Sequence, residues 1–480
     1  MSVSKDINNE LSVRSEWKYV HGWANTRRAL ALVTYPRTIE ECLEVVKFSK
    51  KNNMTICPRG GGFTFGDMIL NDGQVILDVS QMNDIISWDP QTGKLTVQPG
   101  VNFSSIFKVA MPANWTLPSC PGGLLVTVGG AISNNVHGKD AWNNGVFGNQ
   151  VIEFKFLTAN GDLLCVNRDK ERVLFESIVG GMGLLGIIVE VTLQLQKVPS
   201  PFVEVSSYIV RNIEESLEML ERLKDHSDFL LTWVDAFATG DSLGRGIVAS
   251  ARWLEKDEKI NEDKFVNSLT PQDKIFGLFP ANLTWACVRP FFQPYLINIL
   301  NKIFYNASKF KNKIYWKPAS IFYTDYNFIQ DRLIPDKPQL YYPHGYIEFQ
   351  PLIPKSSGVK AVRSLFKLCQ DYRFQSQLCA LKTHKNDNYL ICFEGEGYSI
   401  GVDVQLKNRD LSEVEHFART IFDYVIDCGG KVYLAKDEYL SHHEFVKMYP
   451  RYRDFLNVKS DIDQDSLFSS NLYRRVINPG

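Results

Sequence analysis

His137 and Lys139 close the run Val126-Thr-Val-Gly-Gly-Ala-Ile-Ser-Asn-Asn-Val-His-Gly-Lys139, and Gly145-Val-Phe-Gly-Asn149 follows it closely. An imidazole holds or moves a proton near neutral pH. A lysine neutralises an anion or, once desolvated, acts as a base. Glycine lets a backbone turn sharply and approach a flat or charged ligand. Consecutive peptide N–H groups in such loops cradle phosphate or a ring carbonyl. The pattern is that of a cradle for a large, partly anionic cofactor, with two titratable groups at its edge. The plainer alternative for an isolated histidine is a hydrogen-bonded structural residue.

Two further glycine loops must be positioned beside it. Pro58-Arg-Gly-Gly-Gly-Phe-Thr-Phe-Gly-Asp67 sits between a helix expected over 39–51 and a strand over 75–78. Val179-Gly-Gly-Met-Gly-Leu-Leu-Gly-Ile-Ile188 runs into the alternating strand pattern of 189–195. All three loops fall within about the first 190 residues, so one domain is expected to gather them around one ligand. Gly181-Met-Gly183-Leu-Leu-Gly186 spells G-x-G-x-x-G. A dinucleotide turn needs that motif after a strand and opening a helix. Here a helical segment, 170–178, precedes it and a strand follows, so the Rossmann reading fails. Tight packing remains the alternative for this loop taken alone.

The order R-G-G-G-x-T-x-G-D, then P-G…V-T-V-G-G-A-I…H-G-K…G-x-F-G-N, then V-G-G-M-G-L-L-G-I-I resembles the FAD domain of the vanillyl-alcohol oxidase (p-cresol methylhydroxylase) superfamily. Within it, the decaprenylphosphoryl-ribose 2-oxidase family is similar at the C-terminus too, in Gly429-Gly-Lys-Val-Tyr-Leu-Ala-Lys-Asp437 and His443-Glu-Phe-Val-Lys-Met-Tyr-Pro450. The resemblance runs from Gly22 to about Arg475 and is thin from about 200 to 390. It implies an α+β fold: a two-part FAD-binding domain, 1–198 and 431–480, around a substrate domain, 199–430, with an antiparallel sheet and flanking helices.

The resemblance also implies roles. Cofactor contacts are expected from Arg59, Gly60, Gly61, Gly62, Phe63, Thr64, Gly66 and Asp67, and from Pro121, Gly122, Val126, Thr127, Gly129, Gly130, Ala131 and Asn134. His137, Gly138, Gly145, Gly148, Asn149, Gly183, Gly186, Ile187 and Ile188 complete that set. Substrate contacts are expected from Lys139, Tyr323, Gln350, Lys382, Asp403 and Lys436, and the catalytic residues are Lys436, His137 and Tyr433. In such chemistry the flavin takes the hydride, while the protein supplies position and charge. A base works best with a pKa near ambient pH, and desolvation lowers a lysine toward that range. Lys436 is then either that base or a cation holding the substrate oxygen or phosphate. Its own surroundings, V-Y-L-A-K-D, would otherwise suit a solvated surface lysine.

Departures from the family pattern matter. Members that bond FAD covalently through the first loop carry histidine where this chain has Phe63, so the FAD is expected to be noncovalent. Phe65 replaces a tyrosine, Ser399 an asparagine, and Gly401 a pocket cysteine. The implied reaction oxidises a ring hydroxyl of a polyprenyl-phosphoryl pentose to a ketone, the first half of an epimerisation in cell-wall synthesis. A separate nicotinamide-dependent short-chain reductase would complete it. The alternatives are an alditol or sugar-lactone oxidase using oxygen, and a flavin-binding scaffold without turnover.

Composition agrees with a globular enzyme. A chain of 480 residues, 44% hydrophobic and 12% aromatic, supports two or three domains with ample core. A net charge of −1 argues against nucleic-acid binding as the main role. The nine cysteines form no C-x-x-C pair, which suits a reducing, cytoplasmic setting. The N-terminus has no apolar signal-peptide core, and no apolar run reaches the ~18–20 residues that span a bilayer. Residues 275–300 are aromatic-rich, broken by Pro280, Pro290 and Pro294, and followed by Lys302, Lys309, Lys311 and Lys313. They suit either a surface that dips into a membrane interface or a segment packed on the substrate domain.

Overall fold

The computed structural model describes residues 11–256, 274–275, 279–280, 283–309, 314–319, 338–393 and 395–479. The first helix among these residues, Ile39–Lys51, starts where the Thr38 hydroxyl accepts from the Glu41 amide. Glu40 and Glu41 in its first turn, and Lys50 and Lys51 in its last, complement the helix dipole. It buries Cys42, Val45, Val46 and Phe48. It also serves as the crossover into a small sheet ordered Ser15–His21, Arg28–Thr34, Val75–Asp78, Ile56–Arg59. The last two pairings in that sheet are parallel.

A second sheet is wholly antiparallel, in the order Ile85–Asp89, Lys94–Val97, Ile187–Gln194, Val151–Leu157, Leu163–Asn167. Its central strand, Ile187–Gln194, buries alternate side chains toward its end, as the period-two pattern requires. The first glycine loop leaves Ile56–Arg59, and the third leads directly into Ile187–Gln194. The middle loop carries the short helix Val128–Ser133.

The third sheet is long and antiparallel: Ile314–Pro318, Phe202–Val210, Gly246–Trp253, Phe229–Val234, Cys379–His384, Gly397–Gln405, Pro351–Pro354, Lys431–Val432. Tyr346–Phe349 pairs further along Gly397–Gln405. The helices Ile213–Leu223, Gly358–Asp371 and Leu411–Asp427 bury amphipathic faces, through Leu217 and Leu220, Leu365 and Phe366, and Phe417 and Ile421. Across the strands Glu348 stands opposite Asp403, Ala380 opposite Gly401, and Lys382 opposite Ser399. Cross-strand partners share a face, so these polar groups are gathered on one side of the sheet. The mixed helix and sheet content, with antiparallel sheets, accords with the expected α+β class.

After Lys431–Val432 the chain packs on the first glycine loop. The Phe65 amide donates to the Ala435 carbonyl (2.9 Å), and the Ile56 amide to that of Leu467 (2.7 Å). Arg475 forks onto Asp67 with two 2.8 Å bonds and reaches Asp437 at 3.1 Å. Both carboxylates are nearly fully buried. Removing one partner of a buried ion pair leaves uncompensated charge and costs about 3–5 kcal/mol. Arg475→Ala is therefore expected to lose stability on that scale in denaturant unfolding. Arg475→Lys should recover only part of the loss, because an ammonium cannot reproduce the fork.

Glu438 adds a pH dependence. Its buried carboxyl accepts from the Thr26 hydroxyl, and burial pushes its pKa up from 4.5 to about 8. The folded state thus keeps a proton that the unfolded state releases above about pH 4.5. Its contribution to stability is full below that value and is lost as pH rises through about 8. Glu438→Gln should flatten this decline, gaining on the native protein between pH 5 and pH 8 in paired thermal melts.

Candidate active site

A single cavity runs between the glycine loops and the polar face of the long sheet. The loops contribute Arg59, Gly60, Gly61, Gly62, Phe63, Thr64, Pro121, Gly122, Val126, Thr127, Gly129, Gly130, Asn134, His137, Lys139, Gly183, Gly186, Ile187 and Ile188. The sheet contributes Glu348, Gln350, Ala380, Lys382, Ser399, Gly401 and Asp403. The C-terminal segment brings Tyr433, Ala435 and Lys436. Trp23, Phe65 and Met182 also face it.

The glycines are there because side chains would not fit. A Cβ on Gly60 would lie 2.3 Å from Thr127 Oγ1, and the Gly61 amide donates to that same hydroxyl at 3.2 Å. Gly62 adopts φ +75°, and a Cβ there would lie 2.2 Å from Arg59 Nη2. The first and middle loops are thus held in contact along one wall. Arg59 pairs with Asp78 through Nη1, while its buried Nε has no partner, and neither does the buried Oδ1 of Asn134. A glycine-walled slot that also holds an unused guanidinium N–H and an unused amide oxygen fits FAD, with its anionic pyrophosphate and its polar ring edge.

At the sheet side, the 3-10 turn Leu434–Lys436 presents Lys436. Its ammonium is ion-paired with the Glu348 carboxylate and stands 5.2 Å from the centre of the Phe65 ring. Gln350 Nε2 and His137 Nε2 are 2.8 Å apart, and Gln350 Nε2 also reaches Ser399 Oγ at 3.4 Å. Ser399 Oγ lies 2.6 Å from His384 Nε2. With the amide in this orientation, His137 accepts at Nε2 and is neutral. Burial, and then the neighbouring His384, Lys382 and Lys436, hold its pKa well below the usual imidazole value. Its ring stacks on Phe393 (5.4 Å) and leans on Tyr433 (5.1 Å). The Tyr433 hydroxyl donates to the Asn134 carbonyl at 2.9 Å, tying the sheet side to the middle loop. Asp403 accepts from Ser376 Oγ (2.6 Å), Tyr341 Oη (3.3 Å) and the Leu378 amide (3.3 Å).

The catalytic and substrate residues named from the sequence therefore converge, with one exception. Tyr323 lies outside the described residues. Seven of the expected cofactor residues do not line the cavity: Gly66, Asp67, Ala131, Gly138, Gly145, Gly148 and Asn149. Asp67 is held by Arg475, and a Cβ on Gly66 would meet the Asp437 carbonyl at 2.3 Å. Ala131 is fully buried. A Cβ on Gly138 would strike the Cys120 carbonyl, and one on Gly148 would strike Val179. Gly145 packs by Asn149, which accepts from the Tyr389 hydroxyl at 3.2 Å. Sequence reasoning missed Glu348, although the signal was there. In the strand 346–349 and its continuation, period two puts Tyr346, Glu348 and Gln350 on one face, so choosing Gln350 selects Glu348 as well. Trp23 and Met182 carry no comparable signal.

Gly401 leaves the cavity lining without a thiol. An electrophile aimed at a pocket cysteine should leave the protein unmodified there, whereas Gly401→Cys should be labelled at that residue in a peptide mass map. A Cβ at 401 would meet Glu348 Oε1 at 3.3 Å, a contact that a small rotation relieves.

Among the described residues there is no cluster of metal-ligating side chains, and no helix is long and apolar enough to cross a membrane. Residues 30–167 match the FAD binding domain family. The chain is 25% identical over 478 residues (96% of this chain, 97% of the relative) to a decaprenylphosphoryl-beta-D-ribose oxidase of Mycolicibacterium smegmatis. It is 22% identical over 474 residues (95% and 97%) to the L-gulonolactone oxidase of Bos taurus. A shorter stretch, 216 residues (44% and 40%), is 23% identical to a D-arabinono-1,4-lactone oxidase of Candida glabrata.

Proposed function

From the premise that this chain is an FAD-dependent oxidoreductase acting on CH–OH groups, related to the sugar-lactone oxidases of the p-cresol methylhydroxylase and vanillyl-alcohol oxidase family, we propose that it oxidises a ring hydroxyl of a polyprenyl-phosphoryl pentose to a ketone. The observation that carries the proposal is the charge layout of one cavity corner. Lys139, Lys382 and Lys436 line the same cavity as Glu348 and Asp403, and Lys436 is ion-paired with Glu348. A phosphate would be held by the two lysines away from Glu348, and the hydroxyl would meet the Lys436–Glu348 pair. Bound FAD supplies the hydride acceptor. Lys436 gives one ammonium proton to the Glu348 carboxylate, and the amine so formed takes the hydroxyl proton, which leaves the ammonium restored and Glu348 protonated. Gln350, fixed by neutral His137 and Ser399, orients the ring.

Phe63 lines the cavity where a covalent tether would need a nucleophile, which supports noncovalent FAD. The Arg475 clamp between the C-terminal segment and the first loop supports reading 1–198 and 431–480 as two parts of one FAD-binding domain around 199–430. The 2-keto sugar would be substrate for a nicotinamide-dependent reductase, and the setting we favour is cytoplasmic.

Incubation of the enzyme with a polyprenyl-phosphoryl ribose and a dye acceptor should give a product lighter by two hydrogens that borohydride returns to a pentose pair. No mass change under those conditions would end this reading. A second reading, oxidation of a free sugar lactone or alditol with oxygen, is favoured by the full-length match to a gulonolactone oxidase. It predicts peroxide release with those substrates.

A further inference from the structure

The helix Pro294–Ser308 has two apolar faces. Its inner face buries Ile297 and Tyr305, with Phe292 just before it. The Phe292 ring meets Tyr341 edge-on at 5.3 Å, and Tyr341 stacks on Tyr346 at 4.2 Å. Tyr346 meets Phe65 at 5.5 Å, and Phe65 lies beneath Lys436. A continuous run of aromatic rings therefore joins the inner face to the active corner.

The outer face is a stripe. Tyr295, Ile299 and Ile303 recur every fourth residue on the helix, with Leu300 alongside and Phe291 in the 3-10 turn before it, and all are exposed; Tyr295 is 74% exposed and Ile303 58%. Residues four apart lie on one helix face, and a contiguous exposed apolar patch marks an interaction surface. The flanks are basic. Residues 283–313 contain Arg289, Lys302, Lys309, Lys311 and Lys313 and no Asp or Glu, in a chain whose net charge is −1. Lys302 and Lys309 are exposed on the helix and its C-cap.

We propose that this face docks on a membrane whose surface carries anionic lipid, with the stripe in the interfacial layer and the cations against the headgroups. Aromatic and aliphatic side chains with lysines at their margin suit that layer, and the attraction is electrostatic as well as hydrophobic. Charge argues against a second copy of the chain as occupant, because a two-fold contact would set each basic flank against its own copy. The inference extends the reading of a lipid-linked substrate. With the stripe in the bilayer, a polyprenyl tail stays in the membrane while its phosphate and sugar reach the lysine corner behind the helix.

The experiment is co-sedimentation of the full FAD-loaded chain with vesicles of phosphatidylcholine alone or mixed with phosphatidylglycerol. Binding is expected to the mixed vesicles, weakening as salt rises. Ile299→Glu/Ile303→Glu should weaken it roughly tenfold or more, since each change sets a charge in the interfacial layer. Lys302→Glu/Lys309→Glu should remove the preference for phosphatidylglycerol. Retained yellow colour and melting temperature would show that the variants are folded. Failure of the native chain to sediment with mixed vesicles, or isoleucine variants that bind as well as it does, would overturn the proposal. So would a native dimer in solution that those variants dissolve. No sugar is present, so failure of the substrate reading would leave this result readable.

Discussion

Lys436→Met protein should retain its FAD and its fold while losing about 10²- to 10⁴-fold in kcat, the range that a positioned proton-transfer group supplies. The side chain lies in a 3-10 turn whose backbone is fixed by other contacts. The Lys436 amide bonds the Tyr433 carbonyl at 3.0 Å, and the Ala435 carbonyl accepts from Phe65. Methionine keeps the apolar stem over Phe65 and removes only the ammonium. It also leaves Glu348 buried beside Gly401 without its ion pair. Glu348→Gln separates the two roles. It keeps a hydrogen-bonding partner for Lys436 and removes the proton acceptor, so kcat should fall while KM for the sugar changes little. Stopped-flow flavin reduction by each variant reads this directly. A Lys436→Met enzyme that reduces its flavin at the native rate would take Lys436 out of the mechanism.

Gly62→Val protein should purify colourless. The residue sits at φ +75°, a backbone region that a β-branched side chain does not tolerate. The added carbon would also lie 2.2 Å from Arg59, whose other nitrogen pairs with Asp78. The loop must therefore move, and with it the backbone that lines the cavity. FAD affinity should fall by about 100-fold or more, since strain of this kind costs of order 1–3 kcal/mol before the lost contacts are counted. Fluorescence titration with FAD measures it. Gly73→Ala is the control. It has φ +70° with nothing within 4 Å of the added carbon, and lies away from the cavity, so it should stay yellow.

The parts legible in the sequence were those whose chemistry leaves a local signature. Glycine loops announce themselves because a Cβ at Gly60 or Gly62 has nowhere to go, and the cavity is walled by them. The reversed order of helix and strand around Gly181 to Gly186 was enough to set aside a dinucleotide turn, and the strand that follows is Ile187–Gln194. Glycine type does not say what the missing side chain would strike. A Cβ on Gly138, Gly145 or Gly148 would meet Cys120, Lys385 or Tyr389, and none of the three lines the cavity. Lys436 was identifiable only by resemblance. Its counter-ion lies 88 positions earlier in the chain and arrives through strand pairing, a long-range fact that local pattern does not contain. The Arg475 clamp was illegible for the same reason, since Asp67 is 408 positions away.

The central claim is that this cavity delivers electrons from a lipid-linked pentose to FAD. The most direct measurement is an anaerobic absorbance titration of the purified protein, first with a polyprenyl-phosphoryl ribose, then with free alditols and sugar lactones. Bleaching of the flavin by the lipid-linked sugar, and by neither of the others, is the predicted result. Bleaching by a lactone or an alditol with no response to the lipid-linked sugar would contradict the claim and assign the site to free sugars.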